Sequence, residues 1–171
     1  INWPPGVHII LAKSCGAKAT SLPILLDGQS VIQGSGAIID WADRQTRNPA
    51  RPLTVADARE IEQRADSIMG VHVRRLAYAE LLPRFPEMVK PTLFGKASGP
   101  HRLAANAMWP LSRRMMMRMH DITPGAAAES RSILEAELDW LDSTRADNRR
   151  YLAGDRFSRA DITVASLLAF F

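Results

Sequence analysis

Cysteine is nearly absent from this chain, which carries one, Cys15, among 171 residues. A single cysteine cannot form an internal disulfide, and it excludes any zinc site built from several cysteines. Low cysteine usage favours a reducing compartment, so we expect a cytoplasmic protein. No metal site is expected either, because no two histidines stand at the spacing of metal ligands. The histidines are His8, His72, His101 and His120.

Long apolar runs and a strong charge imbalance are also lacking. The longest nearly apolar stretch, residues 162–171, has about half the roughly 20 residues that a membrane-spanning helix needs. Residues 1–5 lack the basic start and apolar core of a secretory signal. The net charge is only +4, and the basic pairs are dispersed among acidic residues. We therefore expect neither a membrane nor a nucleic acid as a partner. The 46% apolar share is enough for a packed core in one domain or two small ones.

The first fifty residues favour a small unit that contains strands. Residues 7–11 form a short apolar run rich in β-branched residues. An Asp27-Gly28 pair stands between two further short apolar runs, which predicts strand, turn and strand over residues 23–33. A helix is then expected from Ser35, because apolar residues recur after it at helical spacing.

Nearly every segment after Thr54 is predicted to be helical. Residues 47–52 hold two prolines among polar residues, which is typical of a linker. The first long helix is expected to begin with a capping box formed by Thr54 and Asp57 and to stop before Pro83. Its apolar face comprises Ile61, Ala65, Ile68, Met69, His72, Leu76 and Ala79.

Two more long helices are expected in this second part. One covers about residues 104–120, with a bend or a break at Pro110, and the other about residues 126–144. The apolar stripe of the latter comprises Ile133, Leu134, Leu138 and Leu141. The sequence therefore predicts an α+β protein, with a small αβ domain over residues 1–46 and an all-helical domain over residues 53–171.

Three motifs carry the functional information. Residues 21–28 place Pro23 at the entrance of a strand, where it must lie at an edge or a turn and can be cis. Residues 34–41 place Ser35 at the start of a helix, whose unpaired amides can bind an anion. Residues 151–162 contain a predicted capping box with residues at the hydrophobic-staple positions on either side. The residues of this box are Ser158 and Asp161, and the staple residues are Phe157 and Ile162.

In this order and spacing, the three motifs resemble the glutathione transferase family over about residues 20–171. The resemblance implies a thioredoxin-like N-terminal domain, here incomplete, an all-helical C-terminal domain and a homodimer. It also implies that Pro23 is cis, that the backbone of Leu22 pairs with the cysteinyl part of glutathione, and that Ser35 binds the γ-glutamyl carboxylate. Gly34 stands before Ser35 where many members carry Glu or Gln, so we expect this end of glutathione to be held less firmly.

The residues that act on the substrate are harder to assign. Only 22 residues precede Pro23, too few for the strand, helix and strand that open the family's fold. Residues 167–171 are expected to stop in mid-helix without a cap, so we expect a chain shortened at both ends. No catalytic residue can be assigned as a result. The resemblance places His72, Arg75 and Tyr78 on a helix facing glutathione, as candidate contacts to the electrophilic substrate. The alternative is that His72 is a core residue and Arg75 a solvated or dimer-facing charge.

The function implied by the resemblance is transfer of glutathione, as its thiolate, to a small electrophile, with glutathione as co-substrate and no metal. One alternative is a non-catalytic dimerisation or scaffold module, which Gly34 favours. A second alternative is a reductase or dehalogenase acting through Cys15 or a further cysteine upstream. For Ser35 the alternative role is a plain helix N-cap.

Overall fold

A two-stranded hairpin and a larger set of helices make up the fold. The computed structural model describes five stretches of the chain: residues 7–19, 21–28, 30–45, 52–94 and 99–169. In chain order the elements are α1 (Val7–Ser14), β1 (Ile24–Asp27), β2 (Ser30–Gln33), α2 (Ser35–Gln45), α3 (Ala58–Arg64), a π-helical turn (Ala65–Met69), α4 (Gly70–Arg84), α5 (Pro86–Phe94), α6 (Pro100–Met119), α7 (Pro124–Thr144) and α8 (Arg159–Leu168). This mostly helical fold with one small sheet is consistent with the predicted α+β class. Its thioredoxin-like character stays a prediction, as do the domain limits, since most of the linker lies outside the described residues.

The hairpin predicted over residues 23–33 is confirmed. Strands β1 and β2 pair antiparallel, with Ile24 opposite Gln33 and Asp27 opposite Ser30. Gly28 follows β1 with a φ of 58°, the left-handed conformation that a tight turn requires and that glycine adopts without strain. The helix expected from Ser35 is confirmed as α2.

The apolar run of residues 7–11 lies in a helix, α1, and is not extended. β-branched residues lower helix stability by only a fraction of a kcal/mol each, so their presence does not decide against a helix. A run this short also has no period that separates the two structures. Ala12 of α1 is buried.

The first long helix begins differently from the prediction. It starts at Ala58, and the residue before it, Asp57, has a φ of 63° and makes no side-chain capping hydrogen bond. The Thr54 hydroxyl accepts a hydrogen bond from Arg159. The predicted capping box of Thr54 and Asp57 is therefore wrong, because the Asp57 side chain does not cap the helix and the Thr54 hydroxyl binds Arg159.

The sequence pattern also predicts the end of this helix at the wrong residue. The chain passes through a π-helical turn into α4, which includes Pro83 and ends at Arg84. Proline in the last turn removes one amide donor, and the following Phe85 amide still donates to the Leu81 oxygen at 2.8 Å. Pro110 likewise lies inside α6 without ending it, so the predicted break does not occur.

Helix α7 has a sequence-encoded start and a partly buried stripe. The Thr123 hydroxyl accepts from the Ala126 amide, and proline occupies the first turn, where its missing amide donor has no cost. Leu134 and Leu141 of the predicted stripe are buried, whereas Leu138 is exposed. The predicted stripe is therefore correct in part.

Two apolar clusters form the core. The larger joins α3, the π-helical turn, α4, α7 and α8, and the smaller joins α4, α5 and α6. Fully buried Met69 and Val73 lie in the first, and Leu82 lies in the second. Helix α8 begins with the predicted capping box, in which the Asp161 carboxylate accepts from the Ser158 amide at 2.8 Å.

Candidate functional site

The four residues predicted to bind glutathione lie together at one end of the hairpin. The Leu22–Pro23 peptide bond is cis, as the resemblance implied. The Pro23 oxygen accepts a hydrogen bond from the Gly34 amide at 2.9 Å, which joins the entrance of β1 to the exit of β2. Ser35 follows directly as the first residue of α2. Leu22, Pro23, Gly34 and Ser35 therefore form one group, which we call the cis-proline corner.

Gly34 adopts a backbone conformation that few other residues can take. Its φ is 93°, and a Cβ built on it would meet no atom within 4 Å. The requirement at this position is therefore conformational, since open space surrounds it. No acidic or amide side chain is offered at this position, which is the departure from the family pattern seen in the sequence.

Gln33, one residue earlier, is engaged elsewhere. Its Oε1 accepts from the Ala19 amide at 3.0 Å, and its Nε2 donates to the oxygens of Ala19 and Ser21 at 2.7 and 2.8 Å. The side chain thus ties the segment that leads into the cis-proline corner to β2. It is a supporting residue that the sequence did not assign.

The cis-proline corner presents polar groups to solvent. Leu22 is 62% exposed and Ser35 is exposed. The first amides of a helix lack acceptors within the helix, and the helix dipole favours negative charge there. With the Ser35 hydroxyl beside them, these amides can bind a carboxylate.

Helix α2 is fixed by polar contacts at three places. The Trp41 indole donates to Asp27 at 2.9 Å, which attaches α2 to the hairpin. The Asp43 carboxylate accepts from the amides of Leu53 and Thr54 at 2.8 and 2.9 Å. Asp40 pairs with Arg59 and Arg159, whose hydrogen bonds lower the pKa of Asp40 to about 2.

Arg159 at the start of α8 makes a buried network of polar contacts that the sequence did not predict. Its guanidinium binds Glu62 through Nε, Asp40 and Thr54 through Nη1 at 2.6 and 2.9 Å, and the Gly36 oxygen through Nη2 at 3.1 Å. The side chain is only 1% exposed. The one signal in the sequence is a charged residue among the apolar positions that follow the Ser158 cap.

The three residues predicted to contact the electrophile lie on α4 and bind neighbouring helices. His72 Nδ1 lies 3.0 Å from the Ser130 hydroxyl on α7, and Arg75 reaches the same hydroxyl at 3.2 Å. Arg75 also donates to the His120 oxygen at 2.9 Å, and the rings of Tyr78 and His120 pack 5.1 Å apart. Burial, and the charge of Arg75, lower the pKa of His72. Within the described stretches, the hydrogen bonds and ring contacts of these three residues are with α7 and the turn after α6, and none is with the cis-proline corner.

A groove of about 390 Å³ lies between α4 and α7. Its walls are mainly leucine and alanine, with one acidic and one basic side chain. The lining residues are Leu76, Ala77, Ala79, Glu80, Leu81, Ala127, Ala128 and Arg131. It neighbours the substrate residues predicted on α4 and includes no residue of the cis-proline corner.

The part of the chain that the structure describes contains neither a candidate metal site nor a helix that could span a membrane. No three His, Cys, Asp or Glu side chains come together there as metal ligands would. None of the described helices is both long enough and apolar enough to cross a membrane.

Comparison with known proteins supports the resemblance at the C-terminal end. Residues 124–171 match the family model described as glutathione S-transferase, C-terminal domain. This part of the chain is similar to a glutathione S-transferase. The match includes α7, α8 and the capping-box motif of residues 151–162, and it covers less than a third of the chain. No curated protein and no solved structure matches significantly. The cis-proline corner lies outside the matched segment.

Proposed function

We propose that this chain is a glutathione transferase-like protein that binds reduced glutathione at the cis-proline corner and transfers it to a small electrophile. The family match over residues 124–171 supports the family. The observation that carries the site is the 2.9 Å bond between the Pro23 oxygen and the Gly34 amide. That bond places the exposed edge before β1 next to the start of α2, so a strand-like peptide and a carboxylate can be bound side by side.

Each part of the corner has a chemical role in this proposal. The backbone of Leu22 pairs with the cysteinyl unit as one strand pairs with another. The Ser35 hydroxyl and the first amides of α2 donate to the γ-glutamyl carboxylate. Gly34 supplies the turn between them but no side-chain contact, so the ammonium group of the γ-glutamyl unit has no carboxylate partner from this position.

The reaction is nucleophilic substitution or addition by sulfur. The glutathione thiol loses its proton, the thiolate forms a carbon–sulfur bond to the electrophile, and in a substitution the leaving group departs with the electron pair of the broken bond. A donor near the sulfur is needed to stabilise the thiolate at neutral pH. We assign no residue of this chain to that role.

The assignment of His72, Arg75 and Tyr78 to the electrophile stays a prediction. The bond that His72 makes to the buried Ser130 favours the alternative in which His72 is a core residue, and the bond of Arg75 to the same hydroxyl gives Arg75 a structural contact. A ligand that used them would have to replace those bonds. The neighbouring groove between α4 and α7 has apolar walls that suit an apolar electrophile.

Titration calorimetry of the complete polypeptide with reduced glutathione tests the proposal. We expect saturable binding, weakened about tenfold by Ser35→Ala, because a hydrogen bond to a charged group contributes about 1.5–3 kcal/mol. Ser132→Ala, at an exposed position on α7, is the matched control and should bind as the wild type does. Absence of binding, or equal binding by Ser35→Ala and wild type, would contradict the proposal.

A scaffold role is the second candidate, and the surface of α6 favours it. Four apolar side chains are exposed along one side of this helix. They are Met108, Leu111, Met115 and Met119. A protein with this role alone forms a stable dimer and binds no glutathione, whether or not Ser35 is replaced.

A cysteine-dependent activity is the third candidate. Cys15 is half-buried just after α1, and the structure gives it no charged partner that marks it as a nucleophile within the described stretches. Alkylation of the intact protein followed by mass mapping measures its reactivity. Modification at the rate of a free thiol in a peptide would exclude an activated Cys15.

A further inference from the structure

Arg159 is a buried charge whose partners lie on three separate segments. Its guanidinium contacts Glu62 on α3, Thr54 before α3, and both Asp40 and the Gly36 oxygen on α2. A charge persists in a protein interior only when it is paired and hydrogen-bonded. Burial by itself lowers the pKa of Arg159, but its bonds to Glu62 and Asp40 outweigh this effect and raise that pKa above its ordinary value. Arg159 therefore remains a cation.

The backbone of Arg159 is held as firmly as its side chain. It is the first residue of α8, directly after Ser158, and the capping box with Asp161 fixes this turn. The Arg159 amide donates to the Leu53 oxygen at 3.0 Å. The guanidinium is therefore held in one orientation, and we call this planar group with several N–H donors the fork.

That fork lies against the first turn of α2. Nη2 donates to the oxygen of Gly36, the residue after Ser35, at 3.1 Å. A Cβ added to Gly36 would lie 3.1 Å from the same nitrogen, closer than nine in ten real contacts of this kind, so the guanidinium would have to move by a few tenths of an ångström. Gly36 therefore leaves the space that lets the guanidinium reach the helix backbone, and no larger residue does so without displacing it.

The network carries no excess of positive charge. Arg159 and Arg59 face Asp40 and Glu62, and the carboxylate of Asp43 also interacts with Arg159. Long-range attraction of an anion is therefore not what Arg159 supplies at the neighbouring cis-proline corner. Its contribution is geometric, because a planar fork with several donors fixes orientation where a lysine ammonium does not.

We propose that Arg159 is a positioning residue that holds the first turn of α2, and with it the Ser35 hydroxyl and the adjacent amides, in place to receive a carboxylate of the bound peptide. This rests on the proposed glutathione site. The residue acts through α2 and makes no contact with the ligand itself. One polar atom of the cluster, Glu62 Oε1, is buried without a hydrogen-bond partner in the described part of the chain, so this carboxylate is paired through Oε2 to Arg159.

The test compares Arg159→Lys with wild type in the complete polypeptide by titration calorimetry with reduced glutathione. Arg159→Lys keeps the charge and removes the fork, and we expect about tenfold weaker binding, the effect of one misplaced charge-assisted hydrogen bond. Arg156→Lys, at an exposed position three residues earlier, is the control and should not change the affinity. In a Ser35→Ala background, Arg159→Lys should cause little further loss, because both changes remove the same contact. A purely structural role would lower the stability of the protein without this coupling.

Hydrogen exchange supplies a readout that needs no ligand. The Ile38 amide donates to the Gly34 oxygen at 3.1 Å in the first turn of α2, so it should exchange faster in Arg159→Lys while the amides of α7 do not change. If Arg159→Lys does not fold, Gly36→Ala displaces the guanidinium and serves for both measurements.

The outcomes separate the two proposals. If wild type binds glutathione and folded Arg159→Lys binds equally well, the positioning role is overturned and the proposed function stands. If wild type does not bind, the proposed function is overturned. Unchanged exchange at Ile38 then overturns the positioning of α2 as well, whereas faster exchange supports it.

Discussion

Ser130 joins two side chains of α4 to α7, and its replacement tests whether the contacts of His72 and Arg75 stabilise the fold. The serine is fully buried, and its Oγ lies 3.0 Å from His72 Nδ1 and 3.2 Å from Arg75 Nη1. A guanidinium can only donate, so the hydroxyl accepts from Arg75, and the direction of its bond to His72 Nδ1 follows the tautomer of the imidazole. Burial and the nearby charge of Arg75 lower the pKa of His72, which favours its neutral form.

Ser130→Ala removes both hydrogen bonds and leaves almost no cavity, since only one oxygen is deleted. A hydrogen bond to a charged group contributes about 1.5–3 kcal/mol, and one between neutral groups contributes about 1 kcal/mol. Arg75 keeps its bond to the His120 oxygen, and its side chain is 17% exposed, so water replaces part of the loss. We expect the free energy of unfolding to fall by about 2 kcal/mol.

Urea unfolding near neutral pH, followed by circular dichroism, measures this change. Ser132→Ala lies two residues along the same helix at an exposed position, and we expect it to change the free energy by less than about 0.5 kcal/mol. If the two variants are equally stable, the bonds to Ser130 contribute nothing to folding. A ligand could then replace these bonds at no cost in stability, and the structural role of His72 and Arg75 would be refuted.

Four further perturbations test other parts of the structure. Burial depresses the pKa of His72, so the unfolded chain takes up a proton before the native protein does. The stability that this residue contributes is complete above pH 6.5 and is lost as the pH falls from 6.5 through the pKa of His72 in the native protein. Urea unfolding of wild type and His72→Gln at several pH values measures this loss. Gly34→Ala forces an alanine to a φ of 93° and should lower the free energy of unfolding by about 1–2 kcal/mol. Gly125→Ala, also in open space but inside α7, should raise it by about 0.5–1 kcal/mol in the same urea assay. Leu111→Glu should convert the expected homodimer to monomers in sedimentation equilibrium, because it places a charge within the exposed apolar side of α6.

Each of these has an outcome that contradicts it. Equal pH dependence in wild type and His72→Gln would show that this histidine does not titrate differently in the native state. Equal stability of Gly34→Ala and Gly125→Ala would mean that the turn tolerates a side chain. For α6, the control is Asn106→Glu, on the other side of the helix axis, which should leave the association state unchanged. A wild type that is monomeric at every concentration would exclude the dimer.

The features that the sequence predicted correctly are specified by neighbouring residues. The Asp27-Gly28 pair specifies the hairpin through a conformation that glycine takes without strain. The capping box of Ser158 and Asp161 spans only three residues, and both ends of the contact are local. Proline was less informative, because Pro83 lies in the last turn of α4, where its missing amide removes only one hydrogen bond and the helix ends one residue later. Its effect on α4 is therefore smaller than the pattern suggested.

The features that the sequence missed depend on contacts between distant residues. Glu62 and Arg159 are 97 residues apart, and no periodicity relates them. His72 was predicted as a site residue because its helix faces the ligand in the related family, but its hydrogen-bond partner, Ser130, lies 58 residues away on α7. A polar residue on an apolar helix face has the same pattern whether a ligand or a buried serine satisfies it.

The carboxylate contacts that attach α2 to the helical part set the pH at which acid weakens this attachment. None of its residues is fully buried, so polar contacts from Asp40 and Asp43 account for much of its attachment to the helical part. The pKa of Asp40 is about 2 in the native protein and 3.8 ordinarily, so the stability from its pairs is complete above pH 3.8 and is lost as the pH falls through about 2. The His72 contribution begins to be lost as the pH falls below 6.5. Mild acid should therefore loosen the contact between α4 and α7 first and leave the cis-proline corner attached through α2.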